Sequence, residues 1–189
     1  MGSNQATFLC GRDDDIDALE HALDDTLAGS GRVRLVAGDS GMGKTRLARE
    51  LSARAAARGT SVLWGGCSEL DPALPFLPFN EAIGTYLAKT GADSVRAELG
   101  PLAAAVSAIV PQLVRQASHP RDVSDLGARL TLFEGVVAVL RTVALASSSG
   151  AVLVIDDMHW ADEPTLELLD FVVRRIRDIP LLILSLIHI

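Results

Sequence analysis

The sequence predicts an α/β fold: a parallel sheet flanked by helices, with a helical stretch inserted between its second and third strands. Three observations predict it. An apolar strand, a glycine-rich loop, a helix and a second strand follow one another over 33–64. That is the order of a βαβ unit, whose crossover makes the strands parallel. A second apolar run, Ala151-Val152-Leu153-Val154-Ile155, ends on two aspartates, and helical patterning fills most of 79–146 between them.

A first helix over 13–28 sets Ile16, Leu19, Leu23 and Leu27 on one face at three- and four-residue steps. Asp13, Asp14 and Asp15 fall in its first turn, where the helix dipole favours negative charge; this reading is preferred to metal binding. Gly29 and Gly31 end the helix. Residues 33–37 read as a short buried strand. The helix after the glycine-rich loop runs to about 58, with Leu47, Leu51 and Ala55 inward and Arg46, Arg49, Arg54 and Arg58 on a solvated face. Gly59 closes it, and 61–64 is the next strand. Pro72, Pro75 and Pro78 punctuate a loop over 65–78. Helices over 79–89, 94–116 (interrupted by Pro101 and Pro111) and 124–146 follow. The last traces a stripe through Leu126, Leu130, Phe133, Val137, Leu140 and Ala144. A turn at 147–150, a buried strand at 151–155, a helix over 163–177 and a further strand from Pro180 complete the order.

The chain has 189 residues, the length of one domain or one and a piece. With 49% hydrophobic and 22% charged residues it can bury a core, which excludes a disordered tail, a collagen-like repeat and a disulfide-stapled scaffold. A net charge of −7 argues against bulk attraction to a phosphate backbone. Cys10 and Cys67 form neither a disulfide framework nor a Cys-x-x-Cys pair, so a reducing, cytoplasmic location is expected. No secretory signal pattern opens the chain, residues 1–7 read as a disordered start, and the longest apolar run, 179–189, is too short to span a bilayer.

The chemistry lies at two places. Gly38-Asp39-Ser40-Gly41-Met42-Gly43-Lys44-Thr45 fits the phosphate-loop pattern G-x-x-x-x-G-K-[ST] without mismatch. Its glycines let main-chain N–H groups approach phosphate oxygens with no Cβ in the way. Those amides form an anion nest at the N-terminus of the following helix. Lys44 is expected to set an ammonium on the β- and γ-phosphates, and Thr45 to offer a hydroxyl to Mg²⁺, a hard cation that takes oxygen ligands. The second place is the end of 152–157, the Walker B arrangement, where an apolar strand carries Asp156 towards the Mg²⁺ shell. Asp157, one residue beyond, is placed to orient or deprotonate an attacking water, though its side chain is shorter than the glutamate many ATPases use there. Lys44 and Asp157 are therefore the candidate catalytic residues.

A resemblance extends this reading. Phe8-Leu9-Cys10-Gly11-Arg12, followed by an acidic helix, resembles the opening of STAND and related AAA-type ATPases. So do the run from Val62 to Cys67 leading into Leu74-Pro75-Phe76-Leu77-Pro78-Phe79, the stretch Arg129-Leu130-Thr131-Leu132-Phe133-Glu134, and Asp156-Asp157-Met158-His159-Trp160-Ala161-Asp162. Together they resemble the ATP-binding part of large LuxR-type bacterial transcriptional regulators, a module found also beside adenylate cyclase and protein kinase domains. The resemblance implies a P-loop NTPase of the AAA/ASCE type over 8–184. It places Gly11 and Arg12 near the adenine and ribose and gives ATP and Mg²⁺ as cofactors. It also implies self-association through this domain, DNA contact only through a C-terminal domain outside the chain, and no membrane partner. Cys10 stands where an aliphatic residue is usual and is expected to pack. Trp160 is expected to pack on the helix after Glu163, and His159 to hydrogen-bond in the loop. Arg174, Arg175 and Arg177 are read as helix C-terminal cations.

The last six residues, Leu184-Ser185-Leu186-Ile187-His188-Ile189, are what CTG-TCT-CTT-ATA-CAC-ATC encodes, the sequence of a transposon-based sequencing adapter. Residues 184–189 are therefore expected to be a non-native tail, and the ATPase domain to be truncated at its C-terminal side. Three functions are open at this level: a nucleotide-dependent regulatory switch, an AAA-type engine, and a non-hydrolysing scaffold. A GTPase is disfavoured because no Asn-Lys-x-Asp guanine reader occurs.

Overall fold

The computed structural model describes residues 12–69, 74–113 and 126–189. Helix α1 (Asp13–Leu27) leads into β1 (Arg32–Gly38), α2 (Lys44–Ala57) and β2 (Ser61–Gly66). Helices α3 (Leu77–Thr90), α4 (Asp93–Leu99), α5 (Ala103–Val106) and α6 (Leu126–Ala146) precede β3 (Ala151–Asp156), α7 (Glu163–Val173) and β4 (Leu181–His188). The strands form a parallel sheet in the order β1-β4-β3-β2. The parallel α/β class and the helical insertion between the second and third strands are thus as expected.

Alternation along the central strands sorts their side chains between two layers. Val152 and Val154 of β3, with Leu182 and Leu184 of β4, face α1 and α2, where they meet Leu19, Leu23, Leu47 and Leu51. Leu153, Ile155, Leu181 and Ile183 face the opposite layer and join Phe79, Ile83, Leu132, Leu140 and Leu168. Continuous apolar runs in β3 and β4 follow from this burial on both faces.

Several expectations change. The strand at 33–37 is not buried: among the described residues β1 pairs with β4 on one side and lies at the edge of the sheet, and Leu35 is 61% exposed. The helical stretch over 94–116 is interrupted at Pro101 and Pro111 as expected: Gly100 takes a φ of 51° and opens a short 3₁₀ turn between α4 and α5, and Pro111 opens another; positions 114–116 lie outside the described residues. In α6 the stripe starts late. Leu126 and Leu130 are exposed, whereas Leu132, Val136, Val139 and Val143 are buried together with Phe133, Val137, Leu140 and Ala144. This helix is covered on two sides, by the sheet and by α4 and α5, so a single stripe understates its apolar surface. Positions 124 and 125 lie outside the described residues. Helix α7 stops at Val173, and Arg175 beyond it reaches Glu134 of α6 at 3.1 Å and stacks on the Phe171 ring. Finally, β4 takes in Leu184–His188, five of the six residues read as a tail, whose apolar side chains suit a buried strand.

The arginine face of α2 is also more than solvated. Arg54 bonds Glu20 of α1 and Glu50 of its own helix, both at 2.9 Å, and Arg58 pairs with Asp24 of α1. The bonds to Glu20 and then Glu50 push the Arg54 guanidinium above its usual range.

Candidate functional site

Open parallel sheets bind ligands beyond the carboxyl ends of their strands, where the chain departs to opposite faces. Here β1 leaves through α2 on one face, while β3 leaves through α7 on the other, and β4 lies between them. Both sequence motifs therefore open at one edge of the sheet, on either side of the β4 tip.

On the β1 side, Gly41 and Gly43 have φ of 80° and 79°, the left-handed region in which a side chain is strained. A Cβ built at either would meet nothing within 4 Å, so it is the backbone conformation, not crowding, that calls for glycine there. Gly43 is the N-cap of α2, whose first-turn amides, Lys44 and Thr45 among them, have no intrahelical acceptor. Lys44 is 3% exposed, and its Nζ donates to the carbonyls of Gly38 at 2.7 Å and Asp39 at 2.8 Å. The Met42 N–H turns in to the Asp39 carbonyl, and the Met42 side chain is half exposed. Asp39 and Ser40 are exposed and Thr45 is half-buried.

On the β3 side, Asp156 ends the strand and its Oδ1 accepts from the Asp157 N–H at 3.0 Å. Asp157 holds a φ of 54°, a strained conformation for a residue with a side chain, which turns its carboxylate out of the strand direction. Its Oδ1 lies 2.8 Å from His188 Nε2, and His188 Nδ1 lies 3.1 Å from Lys44 Nζ. One imidazole thus bridges the ammonium and the carboxylate, its Nε2 donating to Asp157 and its Nδ1 accepting from Lys44. Asp157, His159 and His188 also converge as a possible ligand set. Because His188 belongs to the segment read as non-native, no chemistry is assigned to it or to that set.

The structure therefore brings Lys44, Asp156 and Asp157 to one mouth, with the phosphate loop wrapping one side. Arg12 stands apart, half-buried and 3.7 Å from Asp15, where it lines a cavity of about 250 Å³ with Leu19, Arg34, Leu35 and Leu47. Gly11 and Cys10 lie outside the described residues, as do the rest of the opening motif and residues 1–7.

Two neighbouring residues have roles that the sequence reading did not assign. Asp162 is the N-cap of α7: its Oδ1 accepts from Thr165 N at 2.8 Å and its Oδ2 from Thr165 Oγ1 at 2.7 Å. The Thr165 hydroxyl in turn accepts from the Phe76 N–H at 2.9 Å, tying the start of α3 to α7. The signal was present in Asp162-Glu163-Pro164-Thr165, a helix-start pattern with proline in the first turn. Cys67, just past β2, has its thiol pushed up to about 12, first by burial and then by the charges of Asp162, Asp157, Glu81 and Asp156. It is an inert thiol that marks how acidic this end of the sheet is. Trp160 is 43% exposed, stands against His159 and lines a shallow cleft with Leu74, Leu77 and Pro78. Trp160 is thus partly exposed, with its ring beside the cleft.

Residues 9–184 match the family model described as AAA ATPase domain. A protein of Rhizobium meliloti (strain 1021), described as uncharacterized, is 30% identical across 94% of this chain. The chain spans 18% of that relative's length. The chain belongs to the AAA ATPase domain family.

Proposed function

We propose that this AAA ATPase domain is a nucleotide-dependent regulatory switch that binds ATP with Mg²⁺ and hydrolyses it slowly. We place it within a longer cytoplasmic LuxR-type transcriptional regulator that self-associates through this domain and contacts DNA through another. The observation that carries the reading is that Lys44, just past β1, and the paired carboxylates Asp156 and Asp157, at the end of β3, stand at the carboxyl ends of parallel strands of one sheet.

The residues fit the ligand. Residues 38–43 offer main-chain wrap through the left-handed Gly41 and Gly43, and Lys44 neutralises phosphate charge. The Thr45 hydroxyl and the Asp156 carboxylate are the hard oxygen donors that would hold Mg²⁺. When bound, the ion draws charge from the phosphate oxygens. Asp157 orients the attacking water and takes its proton as the water oxygen bonds the γ-phosphorus; the bond from phosphorus to the β–γ bridging oxygen breaks, and ADP leaves. Gly11 and Arg12 contact the nucleoside, with the cavity beside Arg12 as its room.

A second reading, an ATPase module attached to an adenylate cyclase or protein kinase, shares this chemistry and rests on the greater length of the relative. A fast AAA-type engine and a non-hydrolysing scaffold are the further alternatives. Steady-state turnover measured together with particle mass separates them. The switch reading expects turnover well under about 1 s⁻¹ and an ATP-dependent change in assembly. Fast turnover at constant mass would favour an engine, and Asp157→Asn with unchanged turnover would remove its assigned role. Residues 184–189 are proposed to be non-native; a genomic read carrying the same codons in native context would overturn that.

A further inference from the structure

Helix α3 meets the end of β2 unusually closely. A Cβ at Gly65 would lie 1.9 Å from the Pro78 carbonyl oxygen, so only a glycine lets the first turn of α3 rest directly on the strand. One turn further on, the Glu81 side chain folds back to the same strand, and its Oε2 accepts from the Gly66 N–H at 2.9 Å. Gly66 is in register with Asp156 across the β2–β3 ladder, and the next N–H, that of Cys67, donates to the Asp156 carbonyl at 3.0 Å. A short relay thus runs from the Glu81 carboxylate through Gly66 and Cys67 to the main chain of Asp156. Beyond Asp156 comes Asp157 with its strained left-handed backbone, a conformation that persists only where its surroundings hold it. The relay sits on the β2 side of Asp156, away from the phosphate loop, so Glu81 acts on the strand tip and not on the phosphates.

We propose that Glu81 is a positioning residue for ATP turnover: by fixing Gly66 and Cys67 it holds the tip of β3 so that Asp156 and Asp157 present their carboxylates at the mouth of the phosphate loop. This rests on the ATPase reading above. Glutamine keeps an oxygen acceptor for the Gly66 N–H, aspartate falls one methylene short of it, and alanine removes it. Turnover and ATP·Mg²⁺ affinity are measured for all three variants beside the parent protein. Glu81→Ala and Glu81→Asp are expected to lower kcat about tenfold, the loss of one charge-assisted hydrogen bond, while ATP·Mg²⁺ affinity, held mainly by the loop and Lys44, falls by less than kcat does. Glu81→Gln is expected to retain most of kcat. A residue that merely anchors α3 would lower stability in the same order and leave kcat of the folded protein unchanged, and that result overturns the proposal. Where Glu81→Ala fails to fold, the Asp and Gln variants decide: equal kcat in both overturns it. A parent protein that binds no ATP·Mg²⁺ overturns the ATPase reading itself, whereas binding and turnover with no kcat effect at Glu81 overturns only this role.

Discussion

The two faces of the sheet are built on different principles, and the difference shows what each is for. The layer of α3 to α7 is large and almost wholly apolar: Phe79, Ile83, Leu113, Leu132, Leu140 and Leu168 are each at most 1% exposed. Aromatic rings there meet edge to face, Phe76 on Phe133 and Phe133 on Phe171. The layer of α1 and α2 has a smaller core and covers β1, whose Val33 and Leu35 are exposed; ion pairs join helices in both layers, Arg54–Glu20 and Arg58–Asp24 here, Arg129–Glu167 and Arg175–Glu134 there. Yet this lighter layer carries the phosphate loop at the head of α2. Asp156 ends β3, a strand buried on both faces, and Asp157 follows it.

The sharpest way to break this comparison is to cut into the large apolar layer. Phe79→Ala is expected to cost about 3–5 kcal/mol, measured as a fall in denaturation midpoint, with the affinity of the remaining folded protein for ATP·Mg²⁺ little changed. If affinity collapsed at low occupancy of the unfolded state, the separation of that layer from the loop would be wrong. Gly65→Ala comes next, at about 1–3 kcal/mol, since its methyl must displace the Pro78 backbone; unlike Phe79→Ala it is expected to lower kcat, because α3 moves away from the β2 tip.

The lighter layer answers more weakly. Arg54→Ala removes two exposed ion pairs and is expected to cost at most about 1 kcal/mol, shrinking further in 1 M salt; a larger, salt-insensitive loss would mean the arginine stem is a packing element. The smallest effect is chemical. With its thiol pushed up to about 12, Cys67 carries roughly a thousandfold less thiolate near pH 8 than an unperturbed thiol would, so labelling by a thiol reagent should be slow and accelerate as pH rises. The folded state holds the proton that the unfolded chain gives up first, so this group's contribution to stability is present below pH 9 and is lost between 9 and 12. Rapid labelling at pH 8 would show that the acidic end of the sheet opens readily.

How far these features were legible in the sequence depends on range. The shape of the glycine-rich loop was readable because it is local: Gly41 and Gly43 take left-handed backbone and Lys44 begins the helix that follows. The Asp156 and Asp157 tip was readable because an apolar strand ending on carboxylates has one geometry. Whatever depended on distant partners was not. Leu35 reads as a core residue until the strand order puts β1 at an edge, and Leu126 reads as part of a stripe until its helix end is found to be uncovered. Arg54 and Arg58 look like a solvated face until α1 lies beside them. Glu81 is one carboxylate in a helix until the fold brings Gly66 to it, a pairing fifteen residues apart that no short motif encodes.

The proposed switch requires that a cradle of main-chain amides and the Lys44 ammonium grip a polyphosphate. Titration calorimetry with ATP·Mg²⁺ on protein that unfolds cooperatively tests it most directly. The expected result is saturable heat with one site per chain, weakened about 10- to 100-fold in Lys44→Ala. The absence of heat from the folded parent protein, or an unchanged isotherm in Lys44→Ala, would contradict it.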